Sequence, residues 1–195
     1  MTDHRFFTKK QRREQALKER NALNFQYMRQ ANSVINGALA DLSPLQNAGN
    51  IMAYAAFGSE VDLDETISNW LRQNKRVWLP RISSAKQLEA VEFTAWEQCF
   101  ASSLGIREPV GVSAETDEIE AVIVPGVLFD RQGYRIGYGK GYYDKFLPLL
   151  SSGVFLCGVC FDFQLIENIE PEIFDVPLHC VVTDRQIVYA KKNLS

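Results

Sequence analysis

The chain has 195 residues, 46% of them hydrophobic, and a formal net charge of −3. This is enough for one domain with a hydrophobic core, and the charge gives no reason to expect a nucleic-acid-binding protein. No apolar run approaches the roughly eighteen residues of a membrane span, and residues 1–20 contain no apolar segment typical of a secretory signal. We therefore expect a single domain over residues 1–195, a cytoplasmic monomer, and no nucleic-acid or membrane partner.

The first predicted helix follows Thr8, whose hydroxyl suits an N-cap, and covers residues 9–20. It lies in a basic segment, since residues 5–20 carry seven basic and two acidic side chains. Most cations on such a helix simply face solvent. Lys9 and Arg13, however, are four residues apart and share one face, from which they could reach a polyphosphate.

A second helix over residues 24–40 is predicted from apolar side chains at three- and four-residue intervals. We interpret this stripe as core packing; it comprises Phe25, Met28, Ala31, Ile35 and Leu39. Residues 43–50 are predicted to form a turn-rich connection.

Strands and helices then alternate. A buried strand over residues 51–57, a helix over 65–73 and a strand over 76–82 predict a βαβ unit. Glu60 follows the first strand, at the end where open α/β sheets bind ligands. A single loop glutamate is usually just solvated, so Glu60 alone is a weak indication of a site.

The rest of the chain continues the alternation. The predicted elements are a strand over 88–94, turns over 95–112, an acidic surface loop over 115–120, a strand over 121–124, a short helix over 142–150, a strand over 154–161, a helical turn over 162–167, a loop over 171–177 and two strands over 179–182 and 186–189. This order predicts a three-layer α/β/α domain with N-terminal helices and a mainly parallel, mixed central sheet.

Four cysteines occur, at positions 99, 157, 160 and 180. Cys157 and Cys160 form a C-x-x-C pair, with His179 and Cys180 further on, so a zinc site or a redox pair is conceivable. The pair lies in a continuous apolar strand, where neighbouring side chains point to opposite faces. Buried thiols are therefore the favoured interpretation.

Residues 130–144 form a glycine-rich segment, DRQGYRIGYGKGYYD, between the strand over 121–124 and the helix over 142–150. Glycine allows positive φ and close approach of the backbone to a ligand, so this layout is typical of a phosphate-binding loop. It fails the Walker A pattern, because Tyr134 stands where a glycine is needed and Gly141 replaces the hydroxyl residue. It also fails the dinucleotide pattern, because the glycines at 137, 139 and 141 are spaced G-x-G-x-G.

The segment and a later loop supply side chains suited to a nucleotide. Arg135 and Lys140 suit phosphate oxygens and the charge that develops during phosphoryl transfer. Asp144, and Asp175 in the loop over 171–177, are candidate Mg²⁺ ligands, although helix-terminal charge and turn chemistry explain them too. Three tyrosines, Tyr138, Tyr142 and Tyr143, suggest a flat organic substrate beside the nucleotide. With only two histidines in the chain, no nucleophilic triad is indicated.

The stretch GYRIGYGKGYYD over residues 133–144 resembles the signature of the 5-formyltetrahydrofolate cyclo-ligase family, also called methenyltetrahydrofolate synthetases. The resemblance extends to Lys9 and Arg13, to Glu60 with the two residues after it, to the strand that ends in Pro80 and Arg81, and to Asp175. It is weak over residues 83–120. It therefore spans nearly the whole chain, except for that middle region.

The resemblance implies an ATP- and Mg²⁺-dependent ring closure of 5-formyltetrahydrofolate to 5,10-methenyltetrahydrofolate, with phosphorylation of the formyl oxygen and release of ADP and phosphate. Catalytic roles fall to Lys140 and Arg135, and Mg²⁺ to Asp144 and Asp175. Folate binding falls to Glu60, Tyr138, Gly139, Lys140, Gly141 and Tyr142. ATP binding falls to Lys9, Lys10, Gln11, Arg12, Arg13, Arg135, Ile136, Gly137, Tyr138, Gly139, Lys140, Gly141, Tyr142 and Tyr143.

Two alternatives remain open from the sequence. A sugar-phosphate isomerase or transferase on a similar scaffold would need a general base at the strand ends but no bound ATP. A non-catalytic folate or nucleotide sensor would bind its ligand without turnover.

Overall fold

The computed structural model describes residues 8–102 and 105–190. Arg5 of the basic segment and residues 103–104 of the predicted turn region lie outside the described residues. The helices are α1 (Lys9–Asn21), α2 (Phe25–Asp41), α3 (Ser43–Asn47), α4 (Asp64–Arg72) and α5 (Tyr142–Phe146). The strands are β1 (Asn50–Met52), β2 (Arg76–Ile82), β3 (Leu88–Phe93), β4 (Cys99–Ala101), β5 (Arg107–Pro109), β6 (Ala121–Val124), β7 (Leu128–Asp130), β8 (Arg135–Ile136), β9 (Phe155–Val159), β10 (Leu165–Ile166), β11 (Cys180–Val182) and β12 (Ile187–Tyr189).

The central sheet has seven strands in the order β12-β11-β9-β6-β1-β2-β3. The five inner strands run parallel, and the two edge strands, β12 and β3, are antiparallel to their neighbours. The mainly parallel, mixed sheet predicted from the sequence is therefore confirmed. Two smaller sheets accompany it: the hairpin β4–β5, and a three-stranded sheet in the order β10-β7-β8.

Helices cover both faces of the central sheet, because side chains of a strand alternate between faces. In β2, Val77 and Leu79 pack with α2, α3 and α4, whereas Trp78 packs with Phe146 of α5 and its surroundings. The strand β6 shows the same division. The result is the predicted three-layer α/β/α arrangement.

The helix α1 packs away from the central sheet, against the three-stranded sheet. Ala16 of α1 is buried with Leu128 of β7, Ile136 of β8 and Ile169. Thr8 caps the helix, as the sequence indicated, and the structure adds a capping box with Gln11. This docking brings the basic helix beside the glycine-rich segment.

Several element predictions were wrong in extent. The strand predicted over 51–57 covers only Asn50–Met52. After Ala53 the chain leaves the strand pairing and bends, and the Tyr54 hydroxyl donates to the Val61 carbonyl. The helix predicted over 142–150 ends at Phe146 and continues as the 3₁₀ helix Leu147–Leu149, because Pro148 has no N–H to continue the α-helical ladder.

Three connections contain regular structure that the sequence reading missed. Residues 43–50 contain α3, whose early Pro44 is a favoured helix-start residue. Residues 95–112 contain the hairpin β4–β5, and the glycine-rich segment begins with the hairpin β7–β8.

Phe25 was predicted in the core but is 79% exposed. Tyr27 makes the aromatic contact with the core instead, because its ring centroid lies 6.0 Å from that of Phe161.

The cysteines are free thiols, and Cys157, Cys160 and Cys180 are buried, as favoured from the sequence. Burial raises the pKa of the Cys160 thiol, which makes it a poor nucleophile. In the described part of the chain, no helix is long and apolar enough to cross a membrane.

Candidate functional site

The strand order places two functional segments at one point of the sheet. From β1 the chain proceeds to β2 on one side, and β6 later joins β1 on the other side. The carboxyl ends of β1 and β6 therefore flank a topological switch point, where open α/β sheets bind ligands. The segment after β1 carries Glu60, and the segment after β6 is the glycine-rich loop. This topology explains how residues more than seventy positions apart meet.

The base of the glycine-rich loop is held by Asp130, a fully buried carboxylate. Its Oδ1 accepts the N–H groups of Gln132 (3.0 Å) and Tyr134 (2.9 Å), and its Oδ2 accepts the N–H of Ile169 (2.9 Å). Burial raises the pKa of Asp130, and these N–H donors lower it in part. Asp130 is therefore a structural anchor that fixes where the loop begins.

Gly133 completes this anchor because no other residue fits its position. Its φ is +89°, and a Cβ here would collide with the carbonyl oxygen of Leu178. The Leu178 N–H donates to the Gly133 carbonyl at 2.9 Å. The loop is thereby tied to the segment that leads into β11.

The helix α1 docks its cations along the loop. The Arg13 Nε donates to the Gly137 carbonyl at 2.6 Å. Gly139 has φ +88°, and a Cβ there would lie 3.2 Å from the Arg13 guanidinium, so glycine allows this close approach. Arg13 thus lies directly against the part of the loop that was predicted to hold phosphates.

Arg135 and Asp144 form an ion pair within the loop, with the Arg135 Nη2 donating to Asp144 Oδ1 at 2.8 Å. The Arg135 guanidinium is buried and lies 5.8 Å from the Tyr143 ring centroid. Among the described residues, the Arg135 Nε and the Tyr143 hydroxyl are buried polar atoms without a hydrogen-bond partner. Burial raises the pKa of Tyr143, so this hydroxyl stays a donor. Such atoms are costly unless a ligand satisfies them, and they fit a site built for a polar, anionic ligand.

Lys9 reaches the loop that carries Asp175. Its ammonium group lies 2.9 Å from Glu172 Oε1 and 3.1 Å from Asp175 Oδ2. These two carboxylates raise the pKa of Lys9 against the opposing effect of burial, which is the largest single influence. The sequence-predicted cation and the sequence-predicted metal ligand are thus direct neighbours.

The donor set fits a Mg²⁺ ion that binds together with phosphates. The described residues contain no cluster of three or more His, Cys, Asp or Glu side chains able to hold an ion unaided. Asp144 and Asp175 are each paired with a cation. Mg²⁺ commonly takes one or two carboxylates and completes its shell with waters and phosphate oxygens, which agrees with this arrangement.

Glu60 forms the centre of a second, more buried cluster. Its Oε2 accepts the Phe57 N–H at 2.9 Å, and its Oε1 accepts the Tyr138 hydroxyl at 2.7 Å. Burial raises the pKa of Glu60, while the Phe57 N–H, Tyr138 and the charge of Arg20 lower it in part. Tyr138 itself is 42% exposed, so its ring lies at the surface of the site above the buried carboxylate.

Lys140 is exposed at the tip of the loop, and within the described residues no ion pair engages its ammonium group. It follows Gly139 and precedes Gly141, which has φ +68° and acts as the N-cap of α5. The helix α5 is only five residues long, so the positive charge at this point comes from the side chains of the loop more than from a helix dipole. The exposed Lys140 can therefore approach a ligand over the loop, whereas Tyr142 is half-buried.

Four other residues predicted to bind ATP have their side chains engaged elsewhere. Lys10 faces Glu14 of its own helix, Gln11 is used in the capping box, and the Arg12 guanidinium donates to the Asn168 carbonyl. Ile136 is buried in the core cluster beside α1. ATP binding by these four residues stays a prediction from the resemblance.

Two contributors were missed from the sequence. Asp130 was quoted in the segment but given no role, although an aspartate that precedes x-x-Gly is a familiar turn signal. Arg20 was counted only as part of a basic run, yet it is 3% exposed and contacts Tyr138. Its signal was its spacing, because Arg20 lies seven residues after Arg13 on the same helix face.

Comparison with known proteins identifies the family of the chain. A family model described as the 5-formyltetrahydrofolate cyclo-ligase family matches residues 6–184. The chain belongs to the 5-formyltetrahydrofolate cyclo-ligase family. The recognition made from the glycine-rich loop, and the ligase class that it implied, are therefore confirmed.

Individual relatives extend over most of the chain. It is 30% identical to the 5-formyltetrahydrofolate cyclo-ligase of Saccharomyces cerevisiae over 199 residues, covering 90% of this chain and 94% of the relative. It is also 30% identical to that of Escherichia coli K12 over 150 residues, covering 74% and 82%. Among solved structures, a 5,10-methenyltetrahydrofolate synthetase from Aquifex aeolicus superposes with a TM-score of 0.85 at 26% identity, covering 97% and 96%.

Proposed function

We propose that this chain catalyses the ATP- and Mg²⁺-dependent cyclisation of 5-formyltetrahydrofolate to 5,10-methenyltetrahydrofolate, with release of ADP and phosphate. The observation that carries the proposal is the meeting of the cation-lined glycine loop with the buried Glu60 at the switch point of the sheet. A nucleotide site and a site for a hydrogen-bond-donating ring are thereby adjacent. The name of the family includes the same folate substrate and a ring-closing ligation.

The nucleotide half consists of the loop and the first turns of α1. Lys9, Arg13, Arg135 and Lys140 supply positive charge, and the glycines let the backbone approach phosphate oxygens. Lys9 pairs with Asp175, and Arg135 pairs with Asp144. We expect ATP phosphates to compete for these cations.

The metal would be held by the two carboxylates that such competition releases, Asp144 and Asp175. Bound Mg²⁺ would neutralise charge on the triphosphate and help to orient it. Neither aspartate belongs to a preformed metal cluster among the residues that the structure describes. We therefore expect tight Mg²⁺ binding only together with ATP.

The folate half is formed by Glu60, with the exposed tyrosine ring of Tyr138 beside it and Gly139, Lys140, Gly141 and Tyr142 following in the loop. An ionised glutamate accepts hydrogen bonds from the N–H donors of a pterin ring, and a tyrosine ring offers a flat apolar surface. Burial makes such a charge-assisted hydrogen bond stronger than it would be in water. Glu60 therefore orients the pterin end of the substrate.

The chemistry needs positioning and electrostatics more than a nucleophile of the protein. The formyl oxygen of the substrate attacks the γ-phosphorus of ATP, and ADP leaves. The N10 nitrogen then attacks the activated formyl carbon and loses its proton to solvent, and the phosphorylated oxygen departs as phosphate. Arg135 and Lys140 stabilise the charge on the transferring phosphoryl group, and the shared loop holds both substrates in reach of one another.

The proposal is tested by following the methenyl-folate absorbance after adding 5-formyltetrahydrofolate, Mg²⁺ and ATP to the purified protein. We expect product only with ATP, in a one-to-one ratio with released phosphate. A non-hydrolysable ATP analogue should bind but give no product. Folded protein that binds both ligands without turnover would contradict the proposal and favour the sensor alternative, and failure to bind ATP would favour the isomerase alternative.

The cytoplasmic location and the monomeric state remain predictions from the sequence. Size-exclusion chromatography with light scattering tests the second of them, for which a mass near 22.1 kDa is expected.

A further inference from the structure

The second half of α1 carries a buried arginine whose contacts all lie at the folate side of the site. Arg20 is 3% exposed. Its Nε donates to the Ser59 hydroxyl at 3.1 Å, and its Nη2 donates to the Tyr138 hydroxyl. The Ser59 hydroxyl in turn donates to the side-chain oxygen of Asn21 at 2.6 Å, so this hydroxyl both accepts and donates a hydrogen bond.

Tyr138 connects this arginine to Glu60. The same hydroxyl that accepts from Arg20 donates to Glu60 Oε1 at 2.7 Å. The guanidinium and the carboxylate are therefore separated by no more than two hydrogen bonds through one oxygen atom. The guanidinium carbon also lies 5.6 Å from the centroid of the Tyr138 ring, which restricts the ring itself.

We propose that Arg20 is a positioning residue for the folate site, holding Tyr138 against Glu60 and balancing the charge of the Glu60 carboxylate. The inference rests on the proposed function, because it assumes that Glu60 receives the pterin ring. It adds a residue that lies outside the glycine loop and outside the phosphate-facing end of α1. Arg20 acts through Tyr138 and Glu60 and does not itself touch the reacting atoms.

The electrostatics of the Glu60 environment agree with this role. Besides Arg20 from α1, the titratable side chains that interact with this carboxyl are three tyrosines: Tyr54 after β1, and Tyr138 and Tyr143 of the glycine loop. Burial raises the pKa of Glu60, and the charge of Arg20 works against that rise. Removal of the guanidinium should therefore raise the pKa of Glu60 further, because the positive charge that opposes the effect of burial is lost and Tyr138 is held less firmly.

The geometry also explains why an arginine occupies this position. One planar group donates in two directions, from Nε to Ser59 and from Nη2 to Tyr138. A lysine would keep the charge but has no rigid fork with which to hold both partners. The two properties of Arg20, charge and orientation, can thus be separated by substitution.

The experiment compares wild type with Arg20→Met, Arg20→Lys and Lys18→Met. Lys18 is an exposed cation of the same helix, so Lys18→Met controls for the lost charge alone. Steady-state kinetics with 5-formyltetrahydrofolate at saturating Mg-ATP are measured from about pH 5 to 8, with an enzyme-free blank at each pH. Circular dichroism shows whether each variant is folded.

For Arg20→Met we expect the KM for folate to rise roughly ten- to a hundred-fold, as for loss of a charged hydrogen bond, with a much smaller change in the KM for ATP. The acid limb of kcat/KM for folate should move to higher pH, because the charge that stabilises the ionised Glu60 is lost. Arg20→Lys should restore the acid limb towards its wild-type position while the KM for folate stays raised. Lys18→Met should change neither quantity.

A second readout does not need turnover. The Glu60 side-chain carboxyl can be titrated by carbon-13 NMR in the ligand-free protein, with Glu60→Gln to assign the signal. Its pKa should be higher in Arg20→Met than in wild type, and Arg20→Lys should lie between them.

The outcomes are distinguishable from failure of the proposed function. If wild type shows no turnover, the proposed function fails, whereas the NMR titration still decides whether Arg20 controls Glu60. If wild type is active and folded Arg20→Met keeps the wild-type folate KM and acid limb, the inference is overturned. Equal effects of Arg20→Met and Lys18→Met would also overturn it, since they would show a general charge effect.

Discussion

The substitution Gly133→Ala tests whether the base of the glycine loop is as constrained as the structure indicates. Gly133 has φ +89°, where a residue with a Cβ is strained by about 1–3 kcal/mol. A Cβ would also collide with the Leu178 carbonyl oxygen, and relief of such a clash costs typically about 1–3 kcal/mol. Alanine regains only about 0.4–1 kcal/mol by restricting the unfolded chain. We therefore expect a net loss of about 1–5.5 kcal/mol.

For a chain of this size, each kcal/mol lowers the Tm by roughly 2–4 °C. Gly133→Ala should thus melt about 2–22 °C below wild type by circular dichroism, and urea unfolding should give the same ranking. Gly153→Ala is the matched control, because nothing lies within 4 Å of a Cβ at Gly153 and its φ lies outside the left-handed region. If Gly133→Ala were as stable as Gly153→Ala, the description of the loop base would be wrong.

Three further predictions concern the site itself. Lys140→Ala should lower kcat/KM by at least about tenfold, because the lost contact is made to the moving phosphoryl group, whereas Lys145→Ala, an exposed lysine of the adjacent helix, should have little effect. The free energy of unfolding of Glu60→Gln should rise relative to that of wild type as the pH rises through the raised pKa of Glu60, because wild type must bury the ionised carboxylate above that pKa. A pH-independent difference between the two proteins in urea unfolding would argue against the burial of this charge. Asp144→Asn should raise the Mg²⁺ concentration needed for half-maximal turnover by about tenfold or more, and an unchanged Mg²⁺ requirement would remove Asp144 from the metal site.

Much of the fold follows from local sequence signals. Thr8 with Gln11 fixes the start of α1, and the strands β2 and β6 were predicted with their observed bounds. These elements have strong local determinants: a capping box, and continuous apolar runs flanked by turns. The parallel sheet follows from the alternation of strands and helices.

Other elements depend on partners that are distant in sequence. The hairpin β4–β5 is stabilised by Arg107, which lies over the Trp96 ring and pairs with Asp64 of α4. The exposure of Phe25 depends on Tyr27 filling the place beside Phe161. The spacing of apolar residues predicts neither contact, because it describes one helix or strand at a time.

The candidate site divides in the same way. The glycine loop could be recognised directly, since its cations and glycines are consecutive. The spacing of Arg20 after Arg13 indicates a shared helix face, but its role could not be assigned, because that role depends on the Tyr138 hydroxyl, which lies 118 positions later. The role of Asp130 as an anchor likewise depends on the distant N–H of Ile169. Side chains that organise a site from buried positions need the fold before they can be assigned.

The most direct test of the account is one activity assay with purified protein, Mg²⁺ and 5-formyltetrahydrofolate, run with and without ATP. The account predicts methenyl-folate absorbance that grows only when ATP is present, with one phosphate released for each product molecule. Folded protein that forms no product with ATP, or forms it equally well without ATP, would contradict the proposed reaction.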